Sequence, residues 1–118
     1  MTIERLHPGP RMSQVVIYNK IIYLAGQVAT VARGKDVATQ TKEILSTIDK
    51  LLREARSSKD RVLSATIWLT DMATFGEMNS VWDAWVNPHA SPARATVVSA
   101  QLASPDYKIE IAIVAAQE

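Results

Sequence analysis

The alternation of apolar and polar residues divides the chain into seven predicted elements. Residues 13–25 are apolar and β-branched except at Asn19-Lys20, which predicts two short strands joined by a two-residue turn. Strand-like sequence returns at residues 61–70, 93–100 and 108–115. The earlier segment His7-Pro8-Gly9-Pro10 is predicted to be non-regular, because its prolines fix φ and donate no amide hydrogen bond.

Two segments have the apolar spacing of three and four residues that is typical of helices. The longer one covers residues 36–56, with Asp36 as its predicted N-cap. The shorter one begins at a predicted capping box of Thr74 and Glu77 and ends at Asn87-Pro88. Asp71, just before it, is expected to be a cap or turn residue.

This order of elements favours an α+β fold, with one sheet and two helices on one of its faces. The 118 residues fit a single domain over positions 1–118. The strands are apolar on both faces, yet the chain has no third helix to cover the second face. We therefore expect a second subunit to cover it.

Composition narrows the possible partners. The net charge is +1, from 13 basic and 12 acidic residues, which gives no electrostatic reason to expect nucleic acid. The chain contains no cysteine, so disulfides and thiolate metal sites are excluded. No segment has the length of apolar sequence needed to span a bilayer, and the first residues lack the apolar core of a signal peptide. We expect a cytoplasmic protein without membrane contact.

Arg94 is the most informative candidate residue. It follows Pro92 and shares one face of its predicted strand with Thr96 and Val98. An arginine in a largely buried strand needs an anionic partner, because an unpaired buried charge is costly. That partner is either a substrate carboxylate bound by the guanidinium fork or an internal carboxylate. A solvent-exposed strand end is the remaining interpretation.

Glu110 is a lone carboxylate in an otherwise apolar strand. Such surroundings raise the pKa of a carboxyl group, which suits proton transfer near neutral pH. Alternatively, Glu110 neutralises Arg94 across adjacent strands or faces solvent. The isolated His7 and His89 do not predict a metal site, and we predict none.

Several motifs resemble the Rid (YjgF) family along nearly the whole chain. The matching pieces are Gly9-Pro10, Tyr23-Leu24-Ala25-Gly26-Gln27-Val28, Gln40, Leu69-Thr70-Asp71-Met72-Ala73-Thr74-Phe75, Met78-Asn79, Pro92-Ala93-Arg94 and Ile109-Glu110-Ile111. The resemblance implies a chorismate-mutase-like fold assembled as a homotrimer around a central β-barrel. It also implies three sites between subunits, with no metal or cofactor.

The resemblance further implies a deaminase of metabolite damage control, similar to 2-iminobutanoate/2-iminopropanoate deaminases. Such enzymes hydrolyse enamines and imines released by pyridoxal-phosphate enzymes, such as 2-aminoacrylate, to 2-oxo acids and ammonia. Arg94 would bind the substrate carboxylate, the backbone at Gly26 would add hydrogen bonds, and Glu110 would position or activate a water. A protein that binds a 2-oxo acid without turning it over is the alternative function, and a role on RNA is a further rival.

Five other residues are candidates for lining the pocket. Asn79 lies one position off the apolar stripe of its helix, and Trp82 is either a core or interface residue or part of the pocket. Arg11, Ala25 and Thr96 stand where many of these deaminases carry Tyr, Ser and Cys. These three changes predict an altered substrate range in a subgroup that keeps the arginine.

Overall fold

The computed structural model describes residues 2–118 and contains six strands and two α-helices. The strands are β1 (Glu4–Pro8), β2 (Ser13–Tyr18), β3 (Ile21–Leu24), β4 (Val62–Leu69), β5 (Ala93–Val98) and β6 (Ile109–Ala116). The helices are α1 (Val37–Glu54) and α2 (Phe75–Trp85). Short 3-10 turns precede β4 at Lys59–Arg61 and α2 at Met72–Thr74.

All six strands form one mixed sheet in the order β1-β2-β3-β6-β4-β5. The β4–β5 pair is parallel, because α2 carries the chain back across the sheet between these two strands. The neighbouring pairs β3–β6 and β6–β4 are antiparallel. The predicted architecture of one mixed sheet with two helices is confirmed.

Both helices pack on the same face of the sheet, where the hydrophobic core lies. Every second residue of β6 is fully buried there, beginning with Ile109 and Ile111. Ile44, Ile48 and Leu52 supply the buried stripe of α1. Their spacing of four residues places them on one side of the helix, as the sequence pattern predicts.

The opposite face of the sheet has no covering element within residues 2–118. The side chains of Tyr23, Leu63 and Val97 remain 48%, 48% and 41% exposed, although each belongs to a strand. Trp68, Ala112 and Val114 on this face are partly buried by their neighbours alone. We call this the open face.

The prediction of a non-regular segment around His7-Pro8 is wrong. These residues end β1, which pairs with β2 in antiparallel register from Glu4↔Ile17 to Pro8↔Ser13. A proline is tolerated here because β1 is the edge strand of the sheet. The N–H that proline lacks would point away from β2, so no hydrogen bond between the strands is lost. His7 takes a positive φ of 50°, which bends the strand as it ends.

The predicted capping box at the start of α2 is also wrong. The Thr74 hydroxyl donates to the carbonyl of Asp71 instead of capping the helix. The Glu77 carboxylate accepts a hydrogen bond of 2.8 Å from the backbone N–H of Ala38 in α1. Glu77 therefore satisfies a free amide at the beginning of the neighbouring helix, a partner 39 residues away in the chain.

Candidate functional site

Arg94 lies on the helix-covered face of the sheet, at its β5 edge. It pairs in register with the buried Ala65 of β4, which sets the face that its side chain occupies. Its guanidinium carbon stands 5.2 Å from the ring centroid of Trp82 and 5.8 Å from that of Phe75. No carboxylate among residues 2–118 forms an ion pair with it.

The expectation that Arg94 occupies a largely buried strand is wrong. β5 is an edge strand, and four of its six residues are exposed. Arg94 itself is half-buried because two aromatic rings of α2 cover it. The rings attract the cation through their negative faces, so the guanidinium is held in place without being neutralised.

Two buried polar atoms without hydrogen-bond partners belong to the elements that hold Arg94. Asn79 is four residues after Phe75 and three before Trp82, so all three side chains project from one side of α2. Thr96 is two residues after Arg94 and shares its face of β5. Asn79 Oδ1 and Thr96 Oγ1 have no partner among the described residues. Buried polar atoms are normally hydrogen-bonded, so each of these two oxygens is available to accept a hydrogen bond from a bound group.

Glu110 lies on the open face. It alternates along β6 with the buried Ile109 and Ile111 and pairs in register with Trp68 of β4. Burial raises the pKa of the Glu110 carboxyl above its ordinary value. A carboxyl group with a raised pKa exchanges protons more readily near neutral pH, as the sequence pattern predicts.

Gly26 and Glu110 are in direct contact. A Cβ on residue 26 would stand 2.0 Å from Oε2 of Glu110, so this contact requires glycine. Reciprocal backbone hydrogen bonds between Gln27 and Ile111, of 2.8 and 3.1 Å, hold the two segments together. The preceding Ala25 is fixed by its N–H, which donates to the carbonyl of Gln14 at 2.9 Å.

The structure therefore assembles the candidates into two groups. Arg94, Thr96, Asn79 and Trp82 lie together between β5 and α2, whereas Glu110 and Gly26 lie together on the open face with Ala25 beside them. Strand β4 separates β5 from β6, so Arg94 and Glu110 are neither on adjacent strands nor on one face. This arrangement excludes the alternative that Glu110 neutralises Arg94 across adjacent strands within one chain.

Phe75 is the site residue that the sequence interpretation overlooked. In the sequence Phe75 belongs to the apolar face of the second helix, seven residues before Trp82, and to the segment that resembles the Rid family, and neither feature predicts that it contacts Arg94. The available signal was the spacing, because a helix presents residues i and i+7 to the same neighbour, which the structure shows to be Arg94. Residues 2–118 contain no group of three or more possible metal-ligating side chains, and none of their helices has the length and apolar character needed to cross a membrane.

Known proteins resemble this chain along almost its full length. The family profile described as Endoribonuclease L-PSP matches residues 2–117. A RutC family protein of Haemophilus influenzae is 45% identical over 115 residues, which cover 98% of both chains.

Solved structures show the same fold. The crystal structure of a YjgF family member from Neisseria meningitidis superposes with a TM-score of 0.95 at 42% identity, covering 100% of this chain and 97% of that one. A protein of the Rid family from Yersinia pestis gives a TM-score of 0.85 at 26% identity, with 92% and 90% covered.

Proposed function

The chain belongs to the endoribonuclease L-PSP/YjgF family, and we propose that it hydrolyses reactive enamines and imines to 2-oxo acids and ammonia. The observation that carries this proposal is the state of Arg94. It is a half-buried guanidinium with aromatic rings around it and no carboxylate partner in residues 2–118. The planar guanidinium can donate two parallel hydrogen bonds to a carboxylate, so a small ligand with a carboxylate is the expected partner.

We propose that each site forms between two copies of the chain in a homotrimer. Arg94 and Glu110 cannot serve one ligand within a single chain, because they lie on opposite faces with β4 between them. The open face that carries Glu110 is apolar and uncovered, so a neighbouring copy can bury it. The β5 edge of one copy would then bring Arg94 and Thr96 toward the Gly26–Glu110 contact of the next.

The chemistry requires little beyond orientation and proton transfer. Arg94 would hold the substrate carboxylate, which fixes the adjacent C=N carbon in position. Water then adds to the carbon of the protonated imine while Glu110 accepts a proton from the water, forming a neutral carbinolamine. Glu110 returns that proton to the nitrogen; the C–N bond then breaks as the carbinolamine hydroxyl gives its proton to Glu110, and ammonia leaves as the 2-oxo acid forms. An enamine enters the same sequence after protonation of its carbon converts it to the imine.

The first rival function is binding of a 2-oxo acid without turnover, which the Arg94 environment supports equally well. RNA cleavage, which the family description names, has less support in this chain. Its 13 basic residues are balanced by 12 acidic ones, so it lacks the excess of positive charge that phosphate backbones attract.

The test measures ammonia release from an imine that an amino-acid oxidase generates in the same reaction. The wild-type protein should accelerate hydrolysis above the rate in solution. Arg94→Ala should lower kcat/KM by about 100-fold or more, because charge-assisted hydrogen bonds to the substrate are lost. Arg53→Ala, which removes an exposed cation on α1, is the matched control and should leave the rate unchanged.

The oligomeric state and circular dichroism spectrum of Arg94→Ala must match those of the wild type, so that a lower rate cannot result from misfolding or dissociation. Stabilisation of the wild type by 2-oxo acids without any acceleration of imine hydrolysis would favour the binding function instead. An active Arg94→Ala variant would refute the assigned role of the arginine.

A further inference from the structure

The turn between β1 and β2 presents a second cation that has no partner. The backbone N–H of Gly9 donates to the carbonyl of Met12 at 2.8 Å, which closes the turn and places Pro10 and Arg11 at its tip. Arg11 is exposed, and no side chain of residues 2–118 forms an ion pair with it. Its charge is therefore available to a ligand.

This turn lies at the same end of the sheet as Gly26 and Glu110. The start of β2 is paired with the end of β3 through Val15↔Leu24, and Ala25 donates to Gln14. Met12, next to Arg11, and Gly26 line opposite parts of a cleft of about 530 Å³, whose far wall is α1 with the carboxylates of Glu43 and Glu54. Gly26 is in turn the residue that touches the Glu110 carboxylate.

The charges of Glu110 and Arg11 determine which ligands can bind at this end of the sheet. A ligand that brings one carboxylate to Arg94 would bring any second carboxylate toward the half of the site that holds Glu110. Two carboxylates close together repel each other unless a cation offsets them. No ion pair among residues 2–118 joins Arg11 to Glu110, so the charge of Arg11 is not used to neutralise that carboxyl group within one chain.

We infer that the preferred substrates are imines of dicarboxylic 2-amino acids, with Arg11 binding the distal carboxylate. This inference rests on the proposed function and on the site between subunits. One copy would supply Arg94 for the carboxylate next to the imine carbon, and its neighbour would supply Glu110 for proton transfer and Arg11 for the far end. A monocarboxylic imine would contact Arg94 and Glu110 but not Arg11.

The experiment compares imines generated in situ from glutamate and from alanine, using the full-length protein and its Arg11→Gln variant. The wild type should show the higher kcat/KM on the glutamate imine. Arg11→Gln should lose about 10-fold to 100-fold of kcat/KM on that imine and less than about twofold on the alanine imine. Arg53→Gln, an exposed cation on α1, is the charge-matched control and should change neither rate.

Equal losses on both imines, or no loss on either, would overturn the inference while leaving the proposed hydrolysis in place. If the wild type hydrolyses neither imine, the proposed function fails and equilibrium binding decides the inference. Calorimetry with 2-oxoglutarate and 2-oxobutanoate should then show tighter binding of the diacid that Arg11→Gln abolishes. Indistinguishable binding of the two acids to the wild type would refute selection by Arg11.

Discussion

At the scale of single residues, the contact between Gly26 and Glu110 shows how the backbone shapes the site. The carboxylate occupies the volume that a side chain at position 26 would fill. Glycine is required there by close approach, since residue 26 is not among those with a positive φ. The glycine therefore determines where the Glu110 carboxylate lies, because any side chain at position 26 would move it.

Gly26→Ala should therefore impair catalysis more than stability. The new methyl group would displace the flexible end of the Glu110 side chain, so we expect kcat for imine hydrolysis to fall by about 100-fold. Gly76→Ala in α2 is the matched control, because a Cβ there meets no atom within 4 Å. The control should keep full activity and gain up to ~1 kcal/mol of stability from its higher helix propensity.

Steady-state kinetics and thermal unfolding of both variants test this prediction. Full activity in Gly26→Ala would mean that the position of the Glu110 carboxylate is unimportant for the reaction.

At the scale of secondary-structure elements, one buried amide connects α1 to the β5–β6 loop. The side chain of Gln40 is fully buried, and its Nε2 donates to the carbonyls of Lys35 and Asp106, both at 3.0 Å. Its Oε1 accepts from the backbone N–H of Lys108, also at 3.0 Å. These bonds anchor the loop that leads into β6, and they fix where Glu110 enters the sheet.

Gln40→Ala should lower the free energy of unfolding by about 2–4 kcal/mol, because it removes three hydrogen bonds to the backbone of the loop and empties a fully buried side-chain position. Gln101→Ala, at an exposed position in the same loop, should change it by less than about 0.5 kcal/mol. Urea unfolding of all three proteins at one fixed concentration measures the difference, since unfolding of an oligomer depends on concentration. Equal stability of the two variants would contradict the anchoring role.

At the scale of the whole molecule, the open face is the feature on which the expected oligomeric state depends. Two helices cover one side of the sheet, and no described residue covers the other, which carries Tyr23, Val97 and the partly buried Val114. Exposed apolar surface of this kind marks a place where another protein chain binds. The open face is the surface that the proposed homotrimer would bury.

If the proposed homotrimer forms through the open face, Val114→Arg should give a folded monomer that lacks the proposed imine hydrolysis. Position 114 lies on the open face between β3 and β4, so a charge there would be buried without a partner in the assembly. Ser46→Arg adds the same charge at an exposed position of α1 and should leave the mass and the activity unchanged. Analytical ultracentrifugation gives the masses, and an unchanged oligomer in Val114→Arg would argue against this interface.

The sequence by itself determined both helices and the strands β2 to β6, but not β1, and it determined the face on which Arg94 and Thr96 lie. Alternation placed Arg94 with Thr96 on one face of β5, as the register with β4 confirms. Helical spacing and the Asp36 cap located α1, where Asp36 accepts from the N–H of Thr39 at 2.8 Å. These features follow from the geometry of a few consecutive residues, so a local pattern is sufficient to predict them.

The tertiary structure alone decided which distant residues meet. Only strand order shows that β4 separates Arg94 from Glu110, and only packing shows that Glu77 caps α1 or that Gly26 touches Glu110. Such contacts depend on register and burial summed over the whole chain, which no local window contains. For the same reason the sequence could name Arg94 and Glu110 as candidates, while their placement on opposite faces required the folded chain.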